Sequence, residues 1–95
     1  MPKREDRLLL EDIYEAGKKI IGFTKGMSFN EFIADVRTTD AVLRNFEVIG
    51  EASGLVSNTL KERYSNIEWR KMIGLRNILI HDYFGINYEL VWATI

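Results

Sequence analysis

The sequence predicts an all-α domain, an antiparallel bundle of four to five helices spanning residues 1–95, and three observations carry that reading. Apolar residues recur at three- and four-residue intervals, with no run of strand-like alternation. The single proline stands at position 2, so no helix interior is interrupted by one. No internal repeat or low-complexity segment divides the chain, and its seven glycines are all isolated.

The first helix is predicted from Lys3 to about Phe23. Leu8, Ile13, Ala16, Ile20 and Phe23 form its apolar side, with Leu9 and Tyr14 beside them. It should stop at Thr24-Lys25-Gly26, where a basic residue precedes a glycine. Ser28-Phe29-Asn30-Glu31 has the form of a capping box opening a short helix, with Phe29, Phe32, Ile33 and Val36 on its buried side. Thr38-Thr39-Asp40 can cap again, so a bend is expected at Thr38 before a further helix from Ala41 to about Leu55. In that helix Ala41, Phe46, Val48, Ile49, Ala52 and Leu55 are apolar, and Gly50 and Gly54 would allow close approach of a neighbour. Ser57 to Asn66 reads as a polar connection with a turn of helix around Leu60 to Tyr64. Asn66 then caps a helix running from Ile67 to Phe84. Gly85 ends it, and Asn87 caps a last amphipathic segment from Tyr88 to Ile95.

Composition narrows the function. A chain of 95 residues forms one domain and buries only somewhat over ~60% of its unfolded surface, so a partner subunit would help it. The absence of cysteine rules out a disulfide framework and a thiolate metal site, which makes the cytoplasm the expected location. The Leu8-Leu9-Leu10 run is far too short for a signal core or a membrane span. A net charge of −1 argues against a grip on nucleic acid through bulk charge, so any RNA contact must be local or supplied by symmetry-related copies. With one histidine and scattered carboxylates there is no metal-ligand spacing, and neither a phosphate-cradling glycine loop nor a G-x-S-x-G elbow is present. No cofactor is expected.

The chemistry concentrates in Ile73–Phe84, where an arginine, an asparagine and the only histidine stand in an otherwise oily stretch. At 100° per residue, Trp69, Ile73, Ile80 and Phe84 share an arc of roughly 60°, extended by Met72, Leu79 and Leu75, and Arg76 falls inside it. Tyr83 projects about 20° from Arg76, whereas Asn77 and His81 lie on a neighbouring edge with Arg70. A guanidinium has no neutral form to adopt, so one set among Ile, Trp and Phe needs a groove, an acid or a second subunit. A helix lining a cleft satisfies this, with a cation, a proton-transfer group near neutral pH and an amide facing a phosphodiester.

Arg76, four intervening residues, His81 and then Tyr83, with Asn77 after the arginine, resembles the R-x4-H-x-Y signature of HEPN-domain ribonucleases, specifically the HepT-like toxins. The stretch from Ala41 to Ala52 and the Ile67-Glu68-Trp69-Arg70 lead look like the same family in the same order, so the resemblance covers most of the chain. It implies a HEPN-like bundle forming a homodimer. It also implies a metal-independent endoribonuclease toxin of a type II toxin–antitoxin system, with Arg76 as phosphate clamp and His81 as general acid/base in a dimer-interface cleft. A minimal nucleotidyltransferase antitoxin would silence it by attaching AMP to Tyr83. Family members continue through a further stretch of helix, so the final segment, which stops in mid-pattern, reads as a C-terminal helix cut short.

Each residue also has a plainer reading. His81 can be a helix histidine bonded to Asn77. Arg76 can pair with Glu47 or Glu51 on the preceding long helix, and Glu51 can equally orient the guanidinium while leaving its other donors free. Asn77 can pack helices as readily as it supports His81, and Tyr83 can be an interface aromatic. Lys18-Lys19 and Arg70-Lys71 read as solvated faces, although Arg70 shares the His81 side. The competing function is a non-catalytic helical module that binds a nucleotidyltransferase or a nucleotide.

Overall fold

The computed structural model describes residues 4–74 and 87–95. Over them the chain is an all-α bundle. Its helices are α1 (Asp6–Thr24), α2 (Phe29–Ala34), α3 (Val36–Leu55), α4 (Asn58–Arg63), α5 (helical over 69–74, up to the edge of the described residues) and α6 (Tyr88–Thr94). No described helix is long and apolar enough to cross a membrane.

The framework is an antiparallel pair, α1 against α3. Leu9 near the start of α1 packs with Ala52 near the end of α3 and Val56 just beyond it, whereas Ala16 and Ile20 pack with Val42, Leu43, Phe46 and Ile49. Asp6 fixes the register at one end: its carboxylate accepts the Ser57 N–H at 3.0 Å and the Ser57 hydroxyl at 2.6 Å. The same Ser57 oxygen accepts the Leu60 N–H at 3.2 Å and so caps α4. The face of α1 is rotated from the predicted one. Leu9 is buried and Leu8 is not, and Tyr14 and Phe23 are exposed. α3 buries a wider arc than periodicity suggests, adding Val42, Leu43 and Ser53, because it has neighbours on more than one side; Leu55 falls outside that arc and is exposed.

Local chemistry sets most helix ends. Gly26 takes a φ of +76° just beyond α1, a conformation open to glycine at little steric cost. The Ser28–Glu31 capping box forms in full, and Asn87 caps α6 by accepting the Leu90 N–H at 3.1 Å. Two boundaries move. The chain bends at Asp35, not Thr38, because the Asp35 carboxylate accepts the Thr38 N–H at 3.2 Å and opens α3 there, which leaves Ile33 and Val36 exposed at the corner. α5 begins at 69, not Ile67, and Asn66 does not cap it; residues 64–66 form a turn instead. α6 packs firmly: Val91 is buried, and Trp92 lies 5.1 Å from Phe32 and 6.2 Å from Phe29 between ring centroids.

The helix ends bear on stability in acid. Backbone and side-chain hydrogen bonds from Ser28 hold the Glu31 carboxyl below its ordinary 4.5, and those from the Thr38 side chain and backbone hold Asp35 below 3.8. A depressed folded value means that each contribution is present above the unfolded value and lost as pH falls through the folded one. Thermal melts should therefore lose stability on acidification below pH 4.5, and Glu31→Gln should flatten that acid limb. Among the described residues, a Cβ added at Gly54 would meet only Ile73, at 4.0 Å, an ordinary contact distance. Gly54→Ala should stabilise the chain by up to about 1 kcal/mol in urea unfolding through helix propensity.

Candidate functional site

The predicted residues Arg76, Asn77, His81 and Tyr83 lie in segment 75–86, outside the described residues. The site is therefore described through its two flanks and through α3, on which both pack. On the N-terminal flank, Trp69 is buried with Leu9, Ala52 and Val56, and its indole N–H donates to the Tyr64 carbonyl at 3.2 Å. That carbonyl also accepts the Ile67 N–H at 3.1 Å, so the turn entering α5 is held at one atom from two directions. Met72 packs against the core and accepts a hydrogen bond from the fully buried Ser53 hydroxyl, Oγ to Sδ 3.8 Å. Ile73 lies over Gly54. Trp69, Met72 and Ile73 thus turn toward α3 while Arg70 and Lys71 are exposed, the side-chain order predicted for this turn.

On the C-terminal flank, Val91 enters the cluster of Ile20, Phe32, Val42 and Phe46. The two flanks consequently sit on the same helix, one toward the end of α3 and the other toward its first half. Between α3, α5 and α6 lies a hollow of about 610 Å³, lined by Phe46, Ile49, Met72, Gly74 and Leu90 with the Glu68–Lys71 pair (3.2 Å). Its described lining is mostly apolar.

Of the acids considered as partners for Arg76, Glu47 already faces a cation, Arg44, at 3.5 Å. Glu51 is exposed on α3 and has no ion pair among the described residues, so of the two it is the carboxylate left available. Among the described residues, no group of three or more His, Cys, Asp or Glu is gathered as metal ligands would be. Sequence reasoning missed the Ser53–Met72 hydrogen bond and the Trp69 bond to Tyr64. Neither has a local signature, since their partners are nineteen and five residues apart.

Known proteins share this chain's sequence over most of its length. A family model described as "Ribonuclease HepT-like" matches residues 13–95. A protein of Methanocaldococcus jannaschii that carries a provisional name as an RNase is 46% identical over 95 residues, covering 100% of this chain and 87% of the relative. A second protein of that organism, provisionally named in the same way, is 48% identical over 95 residues, covering 100% of this chain and 78% of the relative. A protein of Thermococcus cleftensis named as a probable ribonuclease HepT is 42% identical over 93 residues, covering 98% of this chain and 84% of the relative. No solved structure matches the chain significantly.

The bond that seats α5 can be tested by substitution. Trp69→Phe keeps an aromatic in the core but removes the donor to Tyr64, and should cost about 1–2 kcal/mol in chemical denaturation. An unchanged midpoint would mean that the indole N–H contributes nothing to seating α5.

Proposed function

The chain belongs to the HepT-like ribonuclease family, and from that membership we propose that it is a metal-independent endoribonuclease in which Arg76 and His81 act on an RNA phosphodiester. The observation that supports the proposal is the set Arg76, Asn77, His81 and Tyr83, spaced as R-x4-H-x-Y within the residues that the family model matches. In the reaction the 2′-oxygen attacks phosphorus while a base takes its proton. The bond from phosphorus to the 5′-oxygen breaks, and an acid protonates that leaving oxygen. The products are a 2′,3′-cyclic phosphate and a 5′-hydroxyl. Arg76, permanently charged and forked, neutralises the phosphorane oxygens.

One imidazole fills one proton role at a time. Two His81 side chains, one from each subunit of a homodimer, supply both, which is why the cleft belongs at a dimer interface in this reading. Asn77 positions His81, and Glu51 orients Arg76 from α3. In the cell the protein is the toxin of a toxin–antitoxin pair in the cytoplasm. Its partner, a minimal nucleotidyltransferase, attaches AMP to Tyr83. On the helical wheel Tyr83 lies about 20° from Arg76, so the adduct's phosphate would compete with RNA for the same cation.

The expected outcome is RNA cleavage that persists in EDTA, yields a 2′,3′-cyclic phosphate, and drops by at least about a hundredfold in His81→Ala and Arg76→Ala chains that melt like the parent. Cleavage dependent on Mg²⁺, or surviving either substitution, would refute it. A chain that cuts nothing but forms a stable complex with the nucleotidyltransferase would instead be a non-catalytic module.

A further inference from the structure

Several cations on this protein are matched by nearby acids. Arg4 pairs with Asp12 at 2.9 Å, Arg7 with Glu11 at 3.3 Å and Arg44 with Glu47 at 3.5 Å. Lys18, Lys19, Lys25 and Arg37 have no ion pair among the described residues, but at the corner between α4 and α5 two such cations line one groove. Residues 58–71 carry four cations against two carboxylates in a chain whose net charge is −1. Here an open groove of about 700 Å³ is lined by Lys61 and Arg70, neither with a carboxylate partner among the described residues, together with Asn58, Ser65, Asn66 and Ile67. Of its two acids, Glu68 is paired with Lys71 at 3.2 Å and Glu62 has no ion pair among the described residues, so the cations Lys61, Arg70 and Lys71 outnumber the carboxylates by one. Tyr64 does not itself line the groove but precedes its lining residues Ser65 and Asn66 in the turn; it is 43% exposed, with the Arg63 guanidinium 5.8 Å from its ring centroid.

We infer that this corner is a binding surface for single-stranded RNA, with Lys61 and Arg70 taking backbone phosphates and Tyr64 stacking a base. The choice of RNA over another polyanion rests on the nuclease reading above. The pairing of unmatched cations with an exposed ring suits an unpaired strand, whose bases are free to stack, better than a duplex. The turn is already rigid, since the Tyr64 carbonyl is held by both Ile67 and Trp69, so binding does not have to order it. Arg70 stands six residues before Arg76 in the sequence, so a strand gripped here is held a short stretch of chain from the cutting segment.

The test measures fluorescence anisotropy of a short labelled single-stranded oligoribonucleotide, using the full chain with His81→Ala so that the probe stays intact. Lys61→Ala combined with Arg70→Ala should weaken binding about tenfold and reduce the slope of log affinity against log salt by about 0.7 for each phosphate no longer neutralised. Lys18→Ala with Lys19→Ala, which removes the same charge elsewhere, should change affinity less than twofold. Tyr64→Ala should weaken binding severalfold, and Tyr64→Phe should restore it. Equal losses in the two double variants would reduce the effect to bulk charge and overturn the inference. So would unchanged RNA affinity in the Lys61/Arg70 variant, and if that variant lost the nucleotidyltransferase complex the groove would belong to the protein partner. Failure of the unsubstituted chain to cleave RNA sinks the nuclease reading alone, because this measurement does not depend on cleavage.

Discussion

The antiparallel seating of α1 on α3 is the constraint from which the remaining architecture follows. Once Leu9 lies against Ala52 and Val56, and Ile20 against Val42 and Phe46, α3 is fixed along its length and has two further faces open. One face receives Trp69 and Met72 and so sets where α5 begins. The other, with α2, receives Val91 and Trp92 and so sets where α6 sits. The segment that carries the R-x4-H-x-Y motif is flanked at both ends by these arrangements. Anchorage at two places on one rigid helix is the kind of support that a precisely spaced cation and imidazole require.

The parts of this fold that are legible in the sequence are those whose cause lies within four residues. The Ser28–Glu31 box, the glycine beyond Thr24 and the Asn87 cap each follow from local geometry, and each stands where the residues put it. The departures share a different cause. Thr38-Thr39-Asp40 and Asp35 are both competent caps, and the choice falls to Asp35 because Thr39 is buried in α3, with its hydroxyl donating to the Val36 carbonyl at 3.0 Å. Asn66 is likewise a competent cap, but the turn at Tyr64 consumes the residues it would have opened. Ile33 and Val36 show the reverse failure: periodicity assigns these apolar side chains to the core, and the corner leaves them in solvent.

For the candidate site the balance is reversed. Arg76, His81 and Tyr83 are legible through spacing and type, which no fold-level reasoning is needed to see, and the match to ribonucleases over residues 13–95 agrees with the family resemblance they carry. What spacing could not disclose is the company that the surrounding residues keep. That Lys61 shares a groove with Arg70 across the turn is a relation between side chains that only the packed chain reveals, whereas the Arg44–Glu47 pair, three residues apart on α3, is local.

The buried residues form two groups, one around Phe32, Val42 and Val91 and one around Leu9, Val56 and Trp69. Among the described residues only Ile13 and Met72 belong to the fringe of both. Met72 therefore touches both groups, and its sulfur also accepts the buried Ser53 hydroxyl. Oxidation of that thioether to a sulfoxide would place a strong dipole against both groups at once. Damage to this one atom would then be felt on either side of α3's midpoint rather than at one end alone.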